Sequence, residues 1–427
     1  MTINTSSAAT SGAPARRQAA MRFILLTVLI DMVSIGLIVP VLAPLVGTFT
    51  TSQTEQAEGF RMVMLAFGVA NFIGSPILGA LSDRFGRRPV LLIGFCGLAL
   101  SFFVTAMATA LWMLVAIRLV TGAMQANAAV ANAYVADITP PELRAKHFGL
   151  VGAMFGLGFI LGPVMGGLLG SVDLHLPFFV AGALAMCNWL YGFFVLPESL
   201  PLERRRPFDW RKANPVSSLK TLFALHGVGQ LVAVIGLSAL AQFTLHSTWV
   251  LYTQMKFGWG PLDNGLSLFA VGIMSAAVQG FLISRMLKHW SAKRLAVMGL
   301  VSSSICYGLW GAATQGWMMY AVIFVNVLGF AASTSLQSVV SNAADARTQG
   351  QAMGAVASLN SLMSAIAPAI GPSLLVVVGH LPQGDWRIGA PFYFCAVLQA
   401  LATLLAVRHF SRERRAGASN APAHRAP

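Results

Sequence analysis

The chain has 427 residues, of which 56% are hydrophobic and 10% are charged. Since a soluble protein carries about 25% charged residues, this composition excludes an ordinary soluble domain and predicts a protein that crosses a membrane many times. The net charge of +14 does not indicate nucleic-acid binding, because most of the 28 Lys and Arg residues lie at the termini and in alternate loops. Positive charge concentrates on the cytoplasmic side of membrane proteins, so both termini are predicted to be cytoplasmic.

Twelve apolar stretches follow one another along the chain, and each is long enough to cross about 30 Å of hydrocarbon as a helix. They are predicted at residues 23–45, 60–81, 90–108, 111–134, 148–170, 177–196, 228–252, 264–286, 295–313, 317–341, 351–378 and 389–407. The predicted fold class is therefore an all-α membrane protein with twelve transmembrane helices.

The longest polar interval divides these spans into two sets of six. The predicted domains are a cytoplasmic N-terminal tail (1–22), an N-terminal six-helix bundle (23–196), a cytoplasmic linker (197–227), a C-terminal six-helix bundle (228–407) and a cytoplasmic C-terminal tail (408–427). The string GALSDR at 79–84, which ends span two, recurs as GFLISR at 280–285, which ends span eight. Such an internal repeat predicts a transporter built from two related halves.

The loop GALSDRFGRRP at 79–89 follows the second span. Gly79 is predicted to allow close helix approach, Asp83 to pair with a neighbouring cation, and Gly86 to let the chain turn. A basic loop that only sets the membrane orientation is the alternative. The order of residues resembles the signature loop of the major facilitator superfamily, which latches the two halves of those transporters in the outward-facing state.

That resemblance implies a gate at this loop. The implied gate residues are Asp83, Arg84, Arg87 and Arg88, with Gly79 and Gly86 as the glycines of the motif. In the second copy Ser284 stands where the acid would be. Only the first loop is therefore expected to latch fully.

Span five contains GLVGAMFGLGFILGPVMGG at 149–167. Glycines at every fourth residue predict a flat helix face onto which a partner packs closely, and a proline inside the span permits a bend. An ordinary packing helix is the alternative. The whole string resembles the facilitator motif that is associated with antiporters, which implies export by exchange. The residues of this motif are Gly149, Gly158, Gly162, Pro163, Gly166 and Gly167.

The strings VADITPPELRAKHFG at 135–149 and IGLIVPVL at 35–42 narrow the resemblance to the tetracycline-resistance efflux branch of the superfamily. Exporters of that branch have acids within helices three and nine and a histidine within helix eight. Ser101, Ser303 and Ser275 stand at those positions here. These departures argue against tetracycline itself as the substrate.

One acid of the chain, Asp31, lies well inside a predicted span, in LTVLIDMVSIGLIVP at 26–40. An acid at this depth costs about 2.5–3.5 kcal/mol on insertion scales, so a functional role is expected. We predict that Asp31 binds the transported proton and that Arg118 in span four is its partner. Arg118 and Gly122 form an R-x3-G pattern that also matches a facilitator motif. A static buried ion pair remains the alternative.

Other polar and aromatic residues in the spans are candidates for substrate contact, although each alone is more often a packing residue. They are Asn127, Met154, Phe155, Gln242, His246 and Gln279. Gln242 and His246 are one helical turn apart and should share a face. His246 is also a candidate for a second proton site.

The chain has no phosphate-binding G-x4-GK[ST] loop, no metal-ligand cluster and no nucleophile with an adjacent base. We therefore expect no enzyme activity, no cofactor and no metal. The function predicted from the resemblance is a monomeric proton-coupled antiporter of the bacterial inner membrane that exports a small lipophilic compound or drug. Its partners are the substrate, protons and the lipid bilayer. Proton-coupled uptake of a small metabolite by a symporter is the alternative.

Overall fold

The computed structural model of the chain describes residues 12–125, 127–208, 229–343 and 349–419. In these ranges the backbone forms helices joined by short connections, without a strand. Residues 1–11, 209–227 and 420–427, which belong to the predicted tails and linker, lie outside them.

Fifteen α-helices are present in the described part of the chain. They are α1 (Gly12–Gly47), α2 (Gln53–Phe85), α3 (Arg87–Ala106), α4 (Leu111–Met124), α5 (Asn127–Ile138), α6 (Arg144–Val172), α7 (Leu176–Val195), α8 (Gly229–Phe257), α9 (Pro261–Ala277), α10 (Ile283–His289), α11 (Ala292–Ala312), α12 (Gly316–Val325), α13 (Val327–Ala343), α14 (Gln349–Val378) and α15 (Ala390–Ser419).

Within the described residues, 11 helical stretches are long and apolar enough to cross a membrane. The pair α12 and α13, bent by 48° at a short break, forms a twelfth span if it is counted as one. Length and composition thus confirm the prediction of an all-α protein with about twelve membrane spans.

Three spans differ in detail from the prediction. The second begins at Gln53, seven residues before its predicted start, because its first turns carry paired polar side chains such as Glu58 and Arg61. The fourth is broken after Met124, where the N–H of Gln125 bonds to Gly122 O at 3.3 Å. The eighth contains a π-helical turn at Val278–Leu282 between α9 and α10. Hydropathy alone reports none of these features.

The chain forms two compact units, and each draws residues from both halves of the sequence. The first unit comprises the described residues of 1–45, 69–214 and 261–269. In it, α3 packs along α7 and α4, and α1, α3 and α5 supply most of a buried apolar core. The division into two six-helix bundles stays a prediction.

The second unit comprises the described residues of 46–68, 215–260 and 270–427. In it, α8 packs against α14 and α15, and α11 packs against α13 and α15. The last turns of α8 satisfy backbone carbonyls at the end of α11. Tyr252 Oη donates to Trp310 O and Lys256 Nζ donates to Gly311 O, both at 2.6 Å. Carbonyls at a helix end have no partner within their own helix, so these bonds stabilise the junction.

Candidate functional site

Asp31 lies on α1 and is 4% exposed. It is the one acidic residue among the buried polar residues of the described chain. Its Oδ1 accepts a long hydrogen bond of 3.4 Å from Asn127 Nδ2, and Asn127 is also buried. Asn127 begins α5, directly after the break in the fourth span. The break therefore brings a neutral amide to the buried carboxyl.

A small pocket surrounds this carboxyl in the first unit. It is lined by Thr27, Val28, Asp31, Met32, Phe95, Asn127, Ala131 and Phe155. Two predicted substrate contacts, Asn127 and Phe155, thus lie beside the predicted proton site. Met154, a third candidate, packs against the neighbouring core without lining the pocket. Apart from three polar side chains the lining is apolar, so an ion inside it has few protein groups to replace its hydration.

Arg118 lies on α4 and is 8% exposed. The structure thus buries both members of the predicted Asp31–Arg118 pair, and the pairing stays a prediction. Close to Arg118 on α4, the hydroxyl groups of Thr121 and of Ser101 on α3 are hydrogen-bonded to each other. Ser101, which stands at the position of an acid in the tetracycline-resistance branch, is therefore a buried hydrogen-bonding residue.

The glycines of span five pack against α1, on the turns that follow Asp31. A methyl group added at Gly162 would lie 2.6 Å from Gly36 Cα, so the two backbones are in direct contact. One turn to either side, a methyl group added at Gly158 would contact Met32, and one added at Gly166 would contact Leu37. The predicted flat face of span five is confirmed, and its partner is the helix that carries the acid.

The remaining residues of that motif have other surroundings. Gly167 packs on α9, where an added methyl group would lie 3.1 Å from Gly265 Cα. Pro163 lies inside α6 and contacts the position of Gly36. Gly149 has no described atom within 4 Å of an added methyl group. The motif therefore forms two contact faces on one helix, with its first glycine outside both.

The signature loop is held by a network of charges. Gly86 has φ +106°, which is strained for any residue with a side chain, so the predicted turn at this glycine is confirmed. Arg87 Nη1 pairs with Asp83 Oδ1 at 2.6 Å, as predicted for Asp83. Arg87 Nε also reaches Asp137 Oδ2 at 3.1 Å, at the end of α5. Arg84 is exposed and lies over the Phe85 ring at 5.0 Å.

Glu198, just after α7, completes this network. Its carboxylate accepts from the backbone N–H groups of Arg87 and Arg88 at 2.9 and 3.3 Å, so it caps the start of α3. Arg88 Nη2 donates to Phe193 O at 2.6 Å. Sequence reasoning missed Glu198 and Asp137. Both acids directly follow apolar spans, and that position beside a basic loop was the available signal.

The close helix approach at Gly79 stays a prediction. A methyl group added at Gly79 has no described atom within 4 Å. Its carbonyl oxygen accepts from Ser82 Oγ at 2.7 Å.

Three further candidates lie in the second unit. Gln242 and His246 are both on the exposed side of α8. Gln279 lies in the π-helical turn, is exposed, and donates through Nε2 to Ser275 Oγ at 2.6 Å. π-turns occur often at functional sites. A polar amide exposed on a membrane span is costly against lipid, so this face is suited to water or substrate.

Comparison with known proteins agrees with this architecture. A family model described as Major Facilitator Superfamily matches residues 24–368 and 280–427. The class C tetracycline resistance protein of Escherichia coli is 38% identical over 375 residues, which cover 88% of this chain and 94% of that protein. The class D protein of Salmonella ordonez is 32% identical, over 89% of this chain and 95% of its own.

Solved structures show the same fold. A human organic anion transporter matches with a TM-score of 0.68 and 24% identity, over 91% of this chain and 99% of its own. A D-xylose–proton symporter matches with a TM-score of 0.68 and 17% identity, over 91% of this chain and 97% of its own. The resemblance to the superfamily and to its tetracycline-resistance branch is confirmed: the chain is a multi-pass membrane protein that belongs to the major facilitator superfamily.

Proposed function

We propose that the protein is a proton-coupled antiporter of the bacterial inner membrane that exports a small lipophilic compound or drug. The observation that carries this proposal is Asp31, a carboxyl buried in a mostly apolar pocket on a membrane span. Burial of an acid in a membrane marks a proton or ion pathway by default. Relatives that are named tetracycline resistance proteins support export over uptake, because a transporter gives resistance to a drug when it moves the drug out of the cell.

In the proposed cycle, Asp31 takes a proton from the outer side and releases it to the cytoplasm. Asn127 holds the carboxyl in place through its hydrogen bond. Arg118 is proposed to pair with the carboxylate after the proton has left. The close contact of Gly36 with Gly162 lets α1 slide on α6 with little steric resistance. One acid predicts one proton per cycle.

The orientation is part of the proposal. Both termini, the signature loop and the linker are placed in the cytoplasm, because basic residues concentrate there. The Asp83–Arg87 pair with its neighbours Asp137 and Glu198 then forms a cytoplasmic gate. The protein is proposed to act as a monomer, without a cofactor.

The substrate is proposed to be a compound other than tetracycline. Ser101 and Ser275 are hydrogen-bonded to Thr121 and Gln279, and Ser303 is buried. Hydroxyl groups at these places offer hydrogen bonds without charge, which suits a neutral or monovalent lipophilic solute. Gln242, His246 and Gln279 are each proposed as polar substrate contacts, and Phe155 and Met154 are each proposed as apolar substrate contacts.

The test uses energised inverted membrane vesicles with a pH-sensitive dye. Addition of an exported drug is expected to release protons from the acidified interior. The panel contains tetracycline, a neutral lipophilic drug, a lipophilic monovalent cation and a dication. Asp31→Asn should abolish the release, while Asp173→Asn, the same change at an acid in the exposed connection after α6, should leave it at the wild-type rate.

Each outcome decides between the alternatives. Drug-driven proton release by wild type and its loss in Asp31→Asn support the antiporter. A symporter would instead carry protons into non-energised vesicles together with its substrate. Proton release by Asp31→Asn at the wild-type rate would show that Asp31 is structural and that another group, with His246 as the first candidate, carries the proton.

A further inference from the structure

Thr27 differs from the other buried hydroxyl residues on α1 and its neighbouring helices. Ser34 donates to Ile30 O at 2.8 Å, and Thr121 donates to Ile117 O at 2.7 Å. Such bonds to the carbonyl one turn earlier are the usual partner of a hydroxyl within a helix. Thr27 is 1% exposed, and its Oγ1 has no hydrogen-bond partner among the described residues.

The backbone of Thr27 is nevertheless held in place. Asn188 on α7 donates through Nδ2 to Thr27 O at 3.2 Å, and Asn188 is itself buried. The turn of α1 that carries the hydroxyl is therefore anchored to a neighbouring helix. A buried polar atom without a partner lowers the stability by about 1–3 kcal/mol. The hydroxyl of Thr27 is therefore expected to bind a ligand.

The ligand is indicated by the neighbours of Thr27. Thr27 lines the same pocket as Asp31 and lies one helical turn from it on α1. The rest of the lining, apart from Asn127, is apolar. Two other buried hydroxyls without a described partner, those of Thr244 and Ser335, belong to the second unit. Of the three, Thr27 is the one that lies in the same unit as Asp31, the one buried acid of the described chain.

A water molecule fits this chemistry better than a metal cation. A buried water needs two to four polar partners, and a Thr hydroxyl can both donate and accept. Hard cations take about six or more oxygen ligands, which a pocket with three polar side chains does not provide. We propose that Thr27 and Asp31 together bind one water molecule, and that Asp31 exchanges its proton through this water.

In the exchange, the Asp31 carboxyl gives its proton to the water oxygen, and the water passes one of its own protons to the next water on the side that is open. The bound water is unchanged after the transfer, and the reverse sequence reloads the carboxyl. Thr27 acts as a positioning residue, since its hydroxyl orients the water and does not change its own protonation. This inference rests on the proposed proton coupling at Asp31.

The test separates the hydroxyl from the volume of the side chain. Thr27→Val keeps the shape and removes the hydroxyl, whereas Thr27→Ser keeps the hydroxyl and removes a methyl group. Drug-driven proton release is measured for both variants, together with counterflow exchange of labelled drug for unlabelled drug, which needs no net proton transfer. Thr244→Val is the matched control, because it removes an equally buried hydroxyl from α8.

Thr27→Val is expected to slow proton release about tenfold, the effect of one lost hydrogen bond, with counterflow unchanged. Thr27→Ser and Thr244→Val should release protons at the wild-type rate. If Thr27→Val fails to insert, Thr27→Ala is compared with Thr27→Ser, because these two variants both lack the methyl group and differ only in the hydroxyl.

Two results would overturn the inference. One is wild-type proton release by Thr27→Val, and the other is equal slowing by Thr27→Ser, which would show that packing matters and the hydroxyl does not. Neither result touches the proposed function, which fails if no drug of the panel releases protons from vesicles that contain the wild-type protein.

Discussion

The fourth and the tenth spans are both broken, and the asparagine at each break has a different hydrogen-bond partner. After the first break, Asn127 donates to the carboxylate of Asp31 at 3.4 Å. At the second, Asn326 is equally buried but accepts from Ser302 Oγ at 3.1 Å. The second break is also the one with a bend of 48°.

This difference shows how a protein with two similar halves can have a proton site in only one of them. Both halves of the sequence place a buried asparagine at the break of a span. Only in the first does that asparagine face an acid, because Asp31 is the one buried acid of the described chain. The helical layout therefore provides the amide, and a single side chain on another helix makes it part of a proton site.

The largest expected effect separates the two asparagines. Asn127→Leu removes the hydrogen bond to Asp31 and should slow drug-driven proton release about tenfold or more, since a bond to a charged group contributes about 1.5–3 kcal/mol. Asn326→Leu should leave that rate unchanged and lower the stability by about 1–3 kcal/mol, because it removes a buried partner of Ser302. Release rates and thermal melting in detergent are measured on both variants. Equal slowing would remove the distinction between the breaks.

The next effect concerns the contact that places α1 beside α6. Gly162→Ala would put a methyl group 2.6 Å from Gly36 Cα, where only backbone movement can make room. Overpacking of this kind costs about 1–3 kcal/mol. Gly152→Ala, on the same helix with no described atom within 4 Å, should change the stability by less than about 0.5 kcal/mol. Equal melting temperatures for the two variants would show that the helix contact is more tolerant than the geometry implies.

A smaller effect is expected at the signature loop. Glu198→Gln weakens the cap on the N–H groups of Arg87 and Arg88 and should lower the local stability of this loop by about 1 kcal/mol. Faster hydrogen exchange in a peptide that spans 85–90 would report it. Glu203→Gln, at an exposed residue of the same segment, is the control. Unchanged exchange in Glu198→Gln would argue that the ion pairs of Arg87 suffice to hold the loop.

The smallest effect tests the second copy of the loop, which lacks the acid. Ser284→Asp places a carboxylate four residues before Lys288 on α10. A pair at this spacing stabilises a helix by about 0.3–0.5 kcal/mol, and the gain should decrease with added salt. Ser284→Asn is the uncharged control. A large gain in melting temperature would mean that the second loop has charge contacts like those of the first.

The charge network at the signature loop shows how far sequence patterns reach. The motif correctly predicts the turn at Gly86 and the pairing of Asp83, because both depend on residues within one loop. It does not predict Asp137 or Glu198, which come from the ends of other helices.

The amino-acid sequence was enough to predict the class of the protein, the approximate spans, the single deeply placed acid and the superfamily. These depend on composition, hydropathy and residue order, which act locally. Only the packed helices show that Asn127 contacts Asp31, that the glycines of span five pack on α1, and that Thr27 shares the pocket of the acid. Such contacts join residues far apart in the chain, or select one face of a helix, and they arise only when the helices pack against one another.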